Sequence, residues 1–248
     1  MNSKTMKTAS LKRISLGVCI GFVLLGSVVW LLTLMLGNTP HYVYEGKSIR
    51  AWQAQLNSQN SGTSNNALVS VNSRVIPQLI DAMFHDTNDS RLRVTLVGAL
   101  NQLPGVQIYF IDAGGRRMDA AQMIGELGPG ATAAIPALIQ AVKGTDAMVR
   151  GAALDALGQI HGEPDRVIPL LITYLDDENL NDQAATALGN YGSLAKAAVP
   201  KIIPMLQAPD KDARVAAAAA LKRIDFGAYT NATMAQSNTL TNRLQLQP

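Results

Sequence analysis

Cysteine is almost absent from this 248-residue sequence; Cys19 stands alone. One thiol excludes an internal disulfide and any metal site built on several cysteines. It lies within an apolar run that continues past it, with Val18 where a lipid-modified cysteine would need a small residue, so it reads as a small buried hydrophobe. Histidine is nearly as scarce. His41, His85 and His161 are far apart, and none has a second ligand at i+3 or i+4, which argues against zinc. There is no Gly-x-Ser-x-Gly, and Gly125, Gly128 and Gly130 neither follow a strand nor precede Lys-Ser/Thr, so nucleophile elbow and phosphate loop are both missing. The acidic turns Asp86-Thr87-Asn88-Asp89 and Asp176-Asp177-Glu178 lack calcium-loop spacing and read as solvated turns. No catalytic, cofactor-binding or metal-binding residue is nominated. The expectation is a protein that is not an enzyme and carries no cofactor.

Aromatic residues make up 5% of the chain against 48% apolar, which suits Ala/Leu-rich helix packing better than a β-sandwich. The basic character is local. Lys4, Lys7, Lys12 and Arg13 are four of the 21 basic residues and have no acid among the first 40, so the remainder carries 17 basic against 18 acidic side chains. A nearly neutral body gives no ground for nucleic-acid binding.

Residues 14–36, ISLGVCIGFVLLGSVVWLLTLML, are uncharged. At about 1.5 Å per residue a helix of this length spans about 34 Å, enough for a bilayer core. Basic residues before the run and an exit without a small-x-small site predict an uncleaved signal anchor. The positive-inside rule then leaves residues 1–13 in the cytoplasm and places the rest beyond the inner membrane, in the periplasm. Residues 37–63 read as a linker and an N-terminal capping helix. Ser48 is its N-cap, Ile49, Trp52 and Leu56 share one face, and Trp52 plugs the first exposed helix of the stack. Residues 57–66 read as a polar loop, with helical pattern resuming at Ala67.

From 64 to 225 the chain repeats itself. The best-formed unit is residues 131–161. Ile135, Leu138, Ile139 and Val142 line one helix, Gly144 breaks it, and Val149, Ala153, Leu154, Leu157 and Ile160 line a second. Ala152, Ala153 and Ala156 invite close approach by a neighbour, and Gly158 and Gly162 bracket the second helix's end, where positive φ is easily reached. First helices carry Ile76-Pro77, Ile135-Pro136, Ile168-Pro169 and Val199-Pro200; the last three prolines are 33 and 31 residues apart, and the first gap of 59 leaves room for an extra, irregular unit. Second helices align at 92–103, 116–127, 149–160, 180–191 and 213–224, for five or six units in all. Asp89 and Arg93, Asp146 and Arg150, and Asp210 and Arg214 each place an acid four residues before an arginine, predicting ion pairs within one helix. Arg117 faces Ala113 in the acid's place, and Asp177 is followed by Asn181. These residues read as a structural ladder.

The period and the stretch GELGPGATAAIPALIQAV…DAMVRGAALDALGQI (125–160) resemble bacterial HEAT-like repeats, the kind also found in phycobilin lyase subunits. The resemblance implies an all-α fold, a right-handed α-α superhelix behind one transmembrane helix, with second helices lining the concave face. The leading functional expectation is a membrane-anchored, non-enzymatic scaffold holding a protein partner through Gln122, Asp155, Gln159, Asn190 and Lys222. The irregular 104–115 segment, with Tyr109 and Phe110, reads either as a degenerate first helix or as a binding loop. A lyase- or chaperone-like action on a tetrapyrrole cofactor or its carrier protein is the alternative that the resemblance implies, and an envelope spacer is a third. Residues 226–248 read as a polar tail.

Overall fold

The computed structural model describes residues 43, 44, 46–87, 89, 91–102 and 111–245, the side chains of residues 43, 92, 93 and 236–245 excepted. The expected membrane span at 14–36 lies outside the described residues. Among those described, no helix is long and apolar enough to cross a membrane. The chain divides into two units, one holding residues 88–112 and the other residues 41–87 and 113–248.

The larger unit opens with a two-stranded hairpin, β1 (Val43–Tyr44) and β2 (Lys47–Ser48), turned by Gly46 at φ 75°. Helix α1 (Ile49–Leu56) starts where the Ser48 hydroxyl accepts from the Ala51 amide. Trp52 is 2% exposed, and its indole N–H donates to the Tyr44 carbonyl at 3.0 Å. The Lys47 ammonium lies 4.2 Å above the ring. Trp52 thus belongs to the core, with its one polar group satisfied by the Tyr44 carbonyl. Of the stretch expected to be a loop, residues 57–60 are not helical, but residues 61–66 already belong to helix α2 (Ser61–Ser70). Asn60 caps it by accepting from the Gly62 and Thr63 amides, and Ala67, Val71 and Val75 anchor it through a π-turn at Val71–Val75. Polar composition hid a helix that needs only one buried row.

Four helix pairs come next among the described residues. Helix α3 (Ile76–His85) packs on α5 (Ala113–Glu126). Between them in sequence, residues 88–112 form the other unit, with helix α4 (Arg91–Leu100); there Val97 is buried while Val94 and Leu96 are exposed. The irregular unit is therefore an insertion between the two helices of the first pair. Where the chain leaves and re-enters the larger unit, Arg116 grips Asp86 with two hydrogen bonds of 2.7 Å. The later pairs are α6 (Ile135–Val142) with α7 (Ala147–Ile160), α8 (Pro164–Tyr174) with α9 (Asn181–Tyr191), and α10 (Val199–Met205) with α11 (Lys211–Ile224). Pro77, Pro136 and Pro200 each hold the second position of a first helix. Pro169 lies inside α8, because Pro164 starts that helix earlier. After Ile224 the chain is helical again, as α12 (Phe226–Gln245), where a polar tail was expected; it packs on α10 and α11.

The second helices α5, α7, α9 and α11 stack in a row. Their shared registers explain why. One register is Ile124, Leu157, Leu188 and Leu221, each completely buried, and another is Ala120, Ala153, Ala184 and Ala217. A third is glycine. A Cβ on Gly125 would fall 2.8 Å from the Ala156 Cα, one on Gly158 2.7 Å from the Ala187 Cα, and one on Gly189 2.9 Å from the Ala220 Cα. Each helix thus seats the next one's alanine against its own bare backbone. Gly158 lies within α7, not at a positive-φ end as expected. The left-handed positions are Gly128, His161 and Gly192 after successive second helices, with Glu163 two residues beyond His161.

Two substitutions on one helix test this seat by urea unfolding. Gly158→Ala forces a methyl against backbone and should cost about 1–3 kcal/mol. Gly151→Ala meets only Leu180 Cδ2 at an ordinary 3.7 Å, and should stabilise by about 0.5–1 kcal/mol through helix propensity.

Candidate protein-binding face

The second helices carry the candidate residues, so their fixed edge comes first. The expected ion pairs within one helix are not what the arginines make. Arg117 Nη2 lies 2.8 Å from Asp146 Oδ2, and Arg150 Nη2 lies 2.7 Å from Asp177 Oδ2. Each pair joins one repeat to the next. Each arginine also donates to a carbonyl that closes its own first helix, Arg117 to Asp86 O at 2.7 Å and Arg150 to Val142 O at 3.2 Å. Asp146 and Asp210 face the other way, as N-caps of α7 and α11, accepting from the Met148 and Val149 amides and from the Ala213 amide. A carboxylate at a helix N-terminus has its optimal use there, so the arginine four residues on must look elsewhere. Arg214 turns to the carbonyls of Ala208, Pro209 and Asp210. Asp89 lies in the smaller unit, and the side chain of Arg93 lies outside the described residues.

Burial tends to raise the Asp146 carboxyl, but hydrogen bonding to Arg117, the Val149 and Met148 amides and the charge of Arg117 outweigh it and leave the group below its usual range. For Asp177 the Asn179 amide is the largest cause of a net lowering, assisted by Arg150 against the opposing effect of burial.

The side chains left over from packing run along the opposite edge. Gln122 on α5 and Gln159 on α7 are exposed, and Gln159 Oε1 reaches over Gly125. Asp155 is half-buried and has no hydrogen-bond donor among the described residues; burial, and then the charge of Asp182 on α9, raise its carboxyl from 3.8 to about 6. Asn190 is used internally. Its side-chain oxygen accepts from Arg223 Nη1 at 2.6 Å, and its backbone carbonyl lies 2.6 Å from His161 Nε2. Lys222 is exposed, with its ammonium 4.8 Å from the Tyr229 ring. Gln122, Asp155 and Gln159 therefore lie on adjacent helices, while Asn190 and Lys222 are engaged within the chain. Tyr109 and Phe110 lie outside the described residues.

Sequence reasoning passed over Tyr191. It occupies the register of Leu127, Ile160 and Ile224, and its hydroxyl donates toward the Gly162 carbonyl at 2.8 Å and the Leu157 carbonyl at 3.3 Å. Burial and then Glu163 push its phenol up to about 12. The signal was one polar-tipped aromatic in an otherwise aliphatic register. His161 crosses to the same junction edge-on to this ring, at 5.6 Å between centroids.

Among the described residues no group of three or more His, Cys, Asp or Glu side chains could hold a metal ion. Residues 116–183 match the family of HEAT repeats, so the HEAT-like character of the array extends from α5 into α9. No curated protein matches the chain. Among solved structures, the complex of CpcE and CpcF of phycocyanin lyase from Nostoc sp. PCC7120 is similar at 23% identity and a TM-score of 0.46, over 72% of this chain and 65% of that one. An engineered protein is similar at 20% identity and a TM-score of 0.37, over 76% of this chain and 86% of that one.

Two measurements check this geometry. Arg150→Ala should cost about 1–2 kcal/mol in urea unfolding at pH 7. The loss should shrink as pH falls through the carboxylate range, because a carboxyl held low contributes only while ionised. Asp155→Asn should act in the opposite sense. A carboxyl raised to about 6 penalises the fold above that pH and ceases to do so near 3.8. The variant should melt about 2–4 °C higher at pH 8 and no higher near pH 4.

Proposed function

We propose that this chain is a non-enzymatic scaffold that binds another protein along the exposed row of its second helices. The observation that carries the reading is Asp155, a half-buried carboxylate without a donor among the described residues, on a face that packing has not consumed. Intramolecular packing normally satisfies such a group, and an incoming donor would do so here. Gln122 and Gln159 flank it with both donors and acceptors. Stacked repeats suit this role, since each adds one helix to a continuous surface. We further propose that residues 14–36 anchor the chain in the inner membrane, with the repeats on the periplasmic side. The uncharged 23-residue run and the basic residues before it support that placement.

A photo-crosslinking residue at Gln159 in the full chain should give a discrete adduct with a second protein, and Asp155→Arg should reduce its yield about tenfold. Equal yield from a residue placed at Lys143, away from this row, would refute the reading. For the anchor, protease added to spheroplasts should digest the repeats; protection until lysis would place them in the cytoplasm.

A further inference from the structure

Helix α4 is apolar nearly all round, and the chain does not bury it. From Val94 to Leu100 it reads VTLVGAL, with Thr95 as its one polar side chain, and the uncharged run continues in sequence to Ile111. Within that stretch only Val97 is buried. Val94 is 44% and Leu96 42% exposed, and Thr95, Gly98 and Ala99 are exposed with them. At about 100° per residue, the positions from Val94 round to Leu96 cover about 200° of the helix surface. A short apolar helix has three ordinary settings: a protein core, the apolar part of a signal peptide, or the interface of a membrane. Its exposure excludes the first, and its place in mid-chain excludes the second.

Thr95 separates lipid from protein as the covering phase. Its hydroxyl donates to the Arg91 carbonyl, four residues back, at 2.8 Å. Between Val94 and Leu100 the helix therefore offers no side-chain donor in want of an acceptor. Hydrocarbon demands that condition, because it supplies no partner of its own, whereas a protein-docking surface carries polar groups for its partner to meet. The row of Gln122, Asp155 and Gln159 is of that second kind. Arg91 opens α4 and is exposed, and the first turn holds no acid. A guanidinium at the edge of an apolar face reaches lipid phosphates while the face itself enters the acyl region.

Chain connectivity keeps a bilayer within reach. Six residues, 37–42, separate the uncharged run 14–36 from β1, and fully extended they bridge at most about 25 Å. β1 leads into α1, α1 packs on α5, and residues 88–112 leave and re-enter the array at the pair that α5 forms with α3. We propose that α4 lies in the interface of the membrane that carries the anchor, with Val94, Leu96 and Ala99 among the acyl chains and Arg91 at the level of the phosphates. A helix of ten residues is about 15 Å long, too short to cross, so it lies along the surface. The inference rests on the anchor reading and gives the inserted unit a lipid partner, separate from the protein-binding row.

Cys19 is the only cysteine, so Cys19→Ala combined with Leu96→Cys or with Lys143→Cys places one fluorophore at a chosen point of the full-length chain. In vesicles of phosphatidylethanolamine and phosphatidylglycerol with nitroxide-bearing acyl chains, the label at Leu96 should be quenched about threefold and the label at Lys143 unchanged. Val94→Asp or Ala99→Asp, both at exposed positions, should return the Leu96 label to the Lys143 level, and melting curves show which of them keeps the fold. Flotation of the same vesicles reports the anchor separately. Protein that floats while its Leu96 label stays open to aqueous iodide overturns the α4 proposal and leaves the anchor standing. Shielding that appears only when an envelope extract is added, or that rises with protein concentration in detergent, assigns α4 to another protein or to a second copy and also overturns it. Protein that fails to float overturns both.

Discussion

Contact between the backbone of one second helix and the alanine of the next sets every other dimension of the array. Gly125, Gly158 and Gly189 leave no side chain between α5, α7, α9 and α11 at their point of closest approach. At that spacing Arg117 and Arg150 reach Asp146 and Asp177 of the next repeat, and Tyr191 reaches carbonyls of the preceding repeat. It also accounts for the composition. Helices this close need Ala and Leu between them and have little room for aromatic rings, which explains a chain with 5% aromatic residues. Adhesion between neighbours comes from many small contacts, and the ion pairs at the edge add register more than energy.

The features that could be read from sequence are those of short range. Apolar periodicity located the helix pairs, apolar-Pro steps located the first helices, and the spacing of those prolines located the repeats. Features that depend on two distant segments were misread. An acid four residues before an arginine looks like a pair on one helix, but the N-cap and Arg117 between them claim Asp146, and Arg150 goes to Asp177. The gap of 59 residues correctly signalled extra chain, but its position between α3 and α5 is set by which helices pack, and spacing alone cannot report that. His161 takes a left-handed conformation where neighbouring repeats have Gly128 and Gly192, at a cost offset by its bond to the next repeat. Helix α2 was hidden because it is a polar stretch in which only Ala67 is buried.

The candidate face was legible to a similar degree. Sequence reading named Gln122, Asp155 and Gln159 as partner-facing side chains of second helices, and the structure sets them on adjacent helices. The same reading named Asn190, whose side chain is already taken by Arg223 from the following repeat. Whether a polar side chain is available to a partner is decided by the neighbouring helix and not by its own. Asp155 differs because its near neighbour, Asp182, is another acid and offers no proton.

The double hydrogen bond between Arg116 and Asp86 has a consequence for how such a chain can change. It ties together the two points where the array's backbone departs into residues 88–112 and returns. Loop-closure entropy grows only with the logarithm of length, so a segment tied off in this manner costs the array about the same whether it is short or long. The slot behaves like a socket. Whatever is plugged into it can be lengthened, shortened or exchanged, and selection can act on that piece while the stacked helices keep their spacing.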